Sequence, residues 1–198
     1  MIRNIQGHRI RWRILAAQGA LVGLISALAM LLIAMVTIPL FAGSMDTWSF
    51  SKVLASGVLG NSAAHPLTGF DAGPVLLGTL LHLGIGALVG ISFAIVIGLF
   101  DLEGWTSVAL VGLLYAAVMF VGAATMVSIG IGPWSDVPLQ PLLWGNLVFG
   151  LVAGLFMSTW AQDADIDIEP GERVHVFETS FEDHDPPVRD DRPEPTWG

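Results

Sequence analysis

His82 is the one histidine inside an apolar segment long enough to cross a membrane. An imidazole at such a place could do two kinds of chemistry. It could ligate the metal of a haem or chlorophyll-type ring, or it could relay protons, as intramembrane ionisable groups do. Gly78 stands four residues before it, one helical turn away, and leaves a notch where a flat ring could lie beside the imidazole. A lone axial histidine excludes bis-histidine haem within one chain. The competing use is packing, in which the imidazole hydrogen-bonds to a neighbouring helix.

The residues around His82 favour packing. His82-x3-Gly86-x3-Gly90 recurs as Asn146-x3-Gly150-x3-Gly154, offset by 64 residues. Positions i, i+4 and i+8 stack on one side of a helix. Each stripe therefore carries one hydrogen-bonding side chain and two notches where another backbone can approach. Small residues of this kind let helices close on one another in lipid, and polar groups join them at roughly 0.6–2 kcal/mol per bond. The matching stripes predict that the second and fourth spans share a face, with His82 and Asn146 as an interhelical polar pair. The packing glycines are then Gly19, Gly23, Gly86, Gly90, Gly150 and Gly154.

No catalytic constellation accompanies them. Asp163-x-Asp165-x-Asp167 opens like a calcium loop, but its sixth position is Ile168 rather than Gly and its twelfth is Val174 rather than Glu. His175 and His184 are widely spaced in an acidic segment and do not make a metal site. A phosphate loop, a zinc-protease helix and a nucleophile–base pair are all missing from the sequence. No catalytic and no metal-binding residue is expected, so the chain reads as a non-enzyme. The strongly acidic tail repels phosphate and argues against nucleic acid. Without cysteine, disulfides and thiolate sites are excluded within the chain.

The elements that position these residues follow from hydropathy. The 198 residues are 54% hydrophobic and 13% charged. Four segments, about 14–42, 73–99, 104–129 and 139–161, reach the roughly 20 helical residues needed to cross a hydrocarbon core. None has an Asp, Glu, Lys or Arg in its interior. The whole net charge of −9 sits in residues 162–198, because the five acids and five bases of 1–161 cancel. The sequence thus predicts an all-α polytopic membrane protein with three parts: a basic N-terminus (1–13), a four-helix bundle (14–161) and an acidic, proline-rich C-terminal tail (162–198) of disordered composition.

Arg3, Arg9, Arg11 and Arg13 precede the first span, and positive residues stay on the cytoplasmic side. An even number of spans returns the C-terminus to that side, so both termini are expected in the cytoplasm of a multi-pass cell (plasma or inner) membrane protein. In the long outer connection, Trp48, Phe50, Val53, Leu54 and Val58 recur at helical spacing and predict a short interfacial helix over about 46–58. Ala34-Met-Val-Thr-Ile-Pro39 ends the first span and Thr125-Met-Val-Ser-Ile-Gly130 ends the third, an offset of 91. With the glycine stripes, this predicts two hairpins arranged as parallel repeats.

The pattern resembles small four-helix bacterial integral membrane proteins of unknown function. These open with a Gly/Ala-rich helix containing Met and carry His-x3-Gly-x3-Gly in helix two, repeated in many of them in helix four. The residues that match are Gly19, Gly23, Met30, His82, Gly86, Gly90, Gly150 and Gly154 over about 14–161, while Asn146 stands where helix four has histidine. The resemblance implies the four-span bundle and brings no activity. The sequence as a whole points to a non-catalytic accessory subunit that packs in, and stabilises, a larger membrane complex such as a bioenergetic one. Its expected partners are lipid and other membrane subunits or itself, and no cofactor is expected. Two alternatives stand beside this: a pigment- or haem-binding subunit using His82, and a small dimeric transporter.

Overall fold

A computed structural model describes residues 5–100, 102, 104–130 and 132–163, with side chains described between Arg13 and Trp160. The acidic tail beyond residue 163 and the first arginine of the N-terminus lie outside the described residues. Five α-helices are present: α1 (Ile5–Phe41), α2 (Ser49–Leu59), α3 (Ala72–Phe100), α4 (Trp105–Ser128) and α5 (Leu139–Asp163). Single 3-10 turns occupy Asn61–Ala64 and Gly132–Asp136, and no strand occurs among the described residues. Four stretches are long and apolar enough to span a membrane: Arg13–Phe41, Ala72–Phe100, Trp105–Ser128 and Leu139–Trp160. They coincide with the four segments expected from hydropathy. Helix α1 starts earlier, at Ile5, because Arg and Gln are good helix formers and carry the helix past the apolar stretch.

Helices α1 and α5 form the middle of the bundle. Helix α1 packs along both α3 and α5, and α4 packs along α5. Burial follows this order: 44% and 50% of the apolar windows of α1 and α5 are buried, against 28% for α3 and 11% for α4. Helices α3 and α4 meet only lightly, with Phe93 edge-on to Tyr115 at 5.3 Å between ring centroids. The core between the helices is made by Val22, Leu31 and Ile38 of α1, Phe93 and Ile97 of α3, Val108 of α4, and Phe149 and Met157 of α5. Outward-facing Leu88, Leu110 and Leu155 are exposed, as a lipid-facing surface requires.

The sequence predicts that α2 is a short helix lying in the interface. It runs from Ser49 rather than from about 46, and it is folded onto α3. Asp46 starts it with an Asx turn: its Oδ1 accepts from the Trp48 amide at 2.9 Å, while its own amide donates to Ser49 Oγ at 2.8 Å. Ser49, Phe50, Ser51, Lys52, Val53, Ala55 and Ser56 are all buried, so neither the polar nor the aromatic side of α2 is free. The Lys52 ammonium donates to the carbonyls of Pro66, Thr68 and Gly69, which ties the helix to the chain returning toward α3.

Candidate functional site: the glycine seams and His82

The glycine stripe of α3 faces α1. A Cβ added at Gly23 would overlap the carbonyl of Gly86, and one at Gly90 would overlap the carbonyl of Gly19. A Cβ at Gly19 would stand 2.6 Å from both Ala94 Cβ and the Gly90 oxygen. The two backbones are therefore in direct contact, which no residue larger than Gly permits at these positions. Ala27 continues the seam, since a Cβ at Gly86 would run into its methyl group.

A second seam joins α4 to α5. A Cβ at Gly150 would overlap the carbonyl of Gly112 and meet Ala116 Cβ at 2.7 Å, and one at Gly154 would stand 3.0 Å from Ala109 Cα. All six glycines read from the sequence thus lie in backbone contacts, but not in the expected ones. Spans two and four do not pack on each other: each stripe lies against the first helix of its own hairpin. The reason is complementarity. Gly19, Gly23 and Ala27 offer α3 a matching row of notches, and Gly112 and Ala116 do the same for α5, so two smooth surfaces close at backbone distance. Gly112 and Ala116, four apart and one turn from Val108, were the signal in span three.

The seams correspond at their middle. Gly23 and Ala27 meet Gly86 as Gly112 and Ala116 meet Gly150, whereas Gly19, which meets Gly90, has Val108 at the matching place. The offset is 64 between second helices, as the sequence suggests. Between first helices it is 89, from Gly23 to Gly112 and from Ala27 to Ala116, rather than the 91 taken from the helix ends. Seven residues separate Ala27 from Ala34 and nine separate Ala116 from Thr125 within continuous helices, so the matched helix ends do not hold equivalent places.

His82 and Asn146 do not bond to each other. His82 Nε2 lies 3.0 Å from the carbonyl oxygen of Ala27, across the first seam. A carbonyl only accepts, so Nε2 carries the hydrogen and donates. Asn146 Nδ2 donates to the carbonyl of Leu142 at 2.7 Å, within its own helix. The expected interhelical pair is thus replaced by one bond across a seam and one along a helix. Imidazole is long enough to reach the next backbone, whereas the shorter amide folds back a single turn.

The same geometry bears on the ring-ligand expectation. The nitrogen that would face a metal is committed to Ala27. The notch at Gly78 is filled, because a Cβ there would overlap the carbonyl of Ser51 in α2. Phe50 stands edge-on to the imidazole at 5.4 Å, and Ser51 Oγ and Thr79 Oγ1 are 3.2 Å apart beside it. The place where a flat ring could lie is taken by α2, which hydropathy alone assigned to the membrane surface.

Four polar residues are buried within the spans: Ser26, His82, Asn146 and Ser158. Ser158 Oγ donates to the carbonyl of Leu155 at 2.7 Å, leaving Ser26 Oγ as the one buried side-chain polar atom without a partner among the described residues. Groups of three or more His, Cys, Asp or Glu able to hold a metal are absent among the described residues. What the site can do is join backbones. The chain matches no protein-family model, no curated protein and no solved structure.

Proposed function

We propose that this chain is a non-catalytic multi-pass subunit of the cell membrane that packs against, and stabilises, a larger membrane complex, with both termini in the cytoplasm. The observation that carries this reading is the use of the buried polar groups. His82 bonds to a carbonyl across a seam, and Asn146 and Ser158 bond to carbonyls of their own helix, so three of the four are satisfied within the bundle rather than facing a path or a substrate. The interiors of the spans contain no acid, Lys or Arg to couple an ion or a proton. Rigid glycine seams suit a scaffold. The face offered to a neighbouring subunit is that of α4, the span with the smallest buried share, at 11%.

The two hairpins also support an internal duplication, as parallel repeats about an axis along the membrane normal. The like contacts of Gly23 and Ala27 with Gly86 and of Gly112 and Ala116 with Gly150 are its warrant, and they favour a second reading: a small dimeric transporter, since such repeats recur in transporters.

A photo-crosslinking side chain at Val118, which is 64% exposed on α4, tests the first reading in native membranes. The expected product joins this chain to a different membrane protein, and the same group at Leu88 on α3 serves as reference. Adducts to lipid alone at both positions would refute the subunit reading. A product with a second copy of this chain would move the assignment to the dimeric transporter.

A further inference from the structure

Helix α2 is built with its polar side inward. It has four polar residues, Ser49, Ser51, Lys52 and Ser56, and all four are buried. Its exposed residues are Gly57, Val58 and Leu59, the last two at 65% and 51%. A helix lying on a protein in water shows the reverse pattern, with its polar stripe outside. An interfacial helix also keeps a polar face toward water. Helix α2 offers water no polar side chain.

Each polar group of α2 is satisfied inside the protein. Ser49 Oγ donates to the carbonyl of Leu67, and Ser51 Oγ lies 3.2 Å from Thr79 Oγ1. Ser56 Oγ donates to the carbonyl of Val53 at 2.6 Å, and Lys52 donates to the carbonyls of the returning chain. A helix with this economy of polar groups can lie at membrane depth, where unsatisfied groups are costly and irregular backbone persists only when covered by protein.

Its position along α3 agrees. Ser51 meets α3 at Gly78 and Phe50 meets it at His82. These are six and ten residues from Ala72, where α3 begins, or about 9 and 15 Å along its axis at 1.5 Å per residue. At this level α3 turns Leu76 and Leu80 outward, 62% and 66% exposed, so the surroundings of the helix there are apolar too.

The character of the surface changes abruptly just after α2. Asn61, Ser62, His65 and Thr68 are exposed polar residues, with exposed Pro66 among them and Phe70, 61% exposed, following just before α3. Within three residues the exposed side chains pass from Val and Leu to Asn and Ser. A boundary between two solvents accounts for such a switch on one continuous segment.

We propose that α2 is immersed in the leaflet on the side of the 43–72 connection, that lipid acyl chains cover Gly57, Val58 and Leu59, and that the boundary with water crosses the chain between Leu59 and Asn61. The helix is then a re-entrant cap, with its polar groups turned toward protein and its apolar end toward lipid. This rests only on the spanning helices and is independent of the subunit reading above.

The sequence has no cysteine, so single labels are clean. Val58→Cys, Leu59→Cys and Ser62→Cys are each given a nitroxide side chain in the full-length protein, in vesicles of phosphatidylcholine and phosphatidylglycerol. Collision with dissolved oxygen, which concentrates in acyl chains, is compared with collision with a water-soluble nickel chelate. The labels at 58 and 59 are expected to show several-fold higher oxygen-to-nickel ratios than the label at 62. Nickel access at 58 and 59 equal to that at 62 would place α2 in water and overturn the proposal. Exclusion of both reagents at 58 and 59 would also overturn it, since protein would then cover the helix. Spin–spin broadening in that case would identify the cover as a second copy of this chain.

Discussion

The first hairpin, α1 with α3, and the second, α4 with α5, solve one packing problem with unequal supports. Both close glycine backbones on one another, Gly23 against Gly86 and Gly112 against Gly150. In the first, the spans run 29 residues each, α2 covers the N-terminal turns of α3, and His82 ties α3 to α1 through Ala27. In the second, the spans run 24 and 22 residues, the connection between them holds a 3-10 turn, and Asn146 bonds only within α5. No residue of α4 is buried beyond Ala116, whereas α3 is buried at intervals from Val75 to Ile97. The difference teaches that a glycine seam positions two helices, but a long connection and a side chain that reaches across decide how far along the helices the contact extends.

That comparison can be broken at its seams first. Gly86→Leu forces a branched side chain into the backbone of α1, where neither chain can retreat, and overpacking of this kind costs about 1–3 kcal/mol or more. Loss of monodisperse protein in detergent is expected. Gly150→Leu in the second hairpin should lower the midpoint of thermal aggregation while leaving a folded fraction, because α1, α2 and α3 keep their own contacts. Gly84→Leu is the control: a Cβ there meets nothing within 4 Å, and the midpoint should hold. Equal damage from Gly86→Leu and Gly150→Leu would erase the distinction between the hairpins, and damage from Gly84→Leu would remove the seam as its cause.

The polar residues sharpen the comparison at smaller scale. His82→Asn shortens the side chain and removes the bond to Ala27, a loss of roughly 0.6–2 kcal/mol for an interhelical bond in lipid. Asn146→Ala removes only a bond within α5 and should cost less. Thermal midpoints measured side by side should fall further for His82→Asn, and the opposite order would show that Asn146 is the one joining helices.

The smallest effect is expected at Ser26. Its hydroxyl is fully buried and without a partner, so Ser26→Ala removes a desolvated group and leaves no orphan behind. The midpoint should stay or rise slightly. A clear fall would mean that the hydroxyl has a bonded neighbour in the working protein, and Ser26 would join His82 among the groups that hold α1.

Much of this protein was legible in its residues. Hydropathy marks the four spans within a few residues, because crossing lipid demands long runs free of charge. The glycine spacing marks Gly19, Gly23, Gly86, Gly90, Gly150 and Gly154 as places of backbone contact, because a notch every fourth residue has no other common use in a membrane helix. Periodicity shows which face of a helix is smooth, and it is silent on which helix comes to lie there. The hairpin order already pairs α1 with α3 and α4 with α5; only the tertiary structure aimed each stripe at its own hairpin partner, by matching Gly23 and Ala27 to one and Gly112 and Ala116 to the other. Only it sent His82 to Ala27 instead of Asn146, since the reach of a side chain counts only once the neighbouring backbone is in place. Only it turned α2 inward: Ser51 and Lys52 find Thr79 and the carbonyls of Pro66, Thr68 and Gly69 once the connection folds back. Local pattern fixes what a surface can accept, and partner choice is a long-range property set by which surfaces fit.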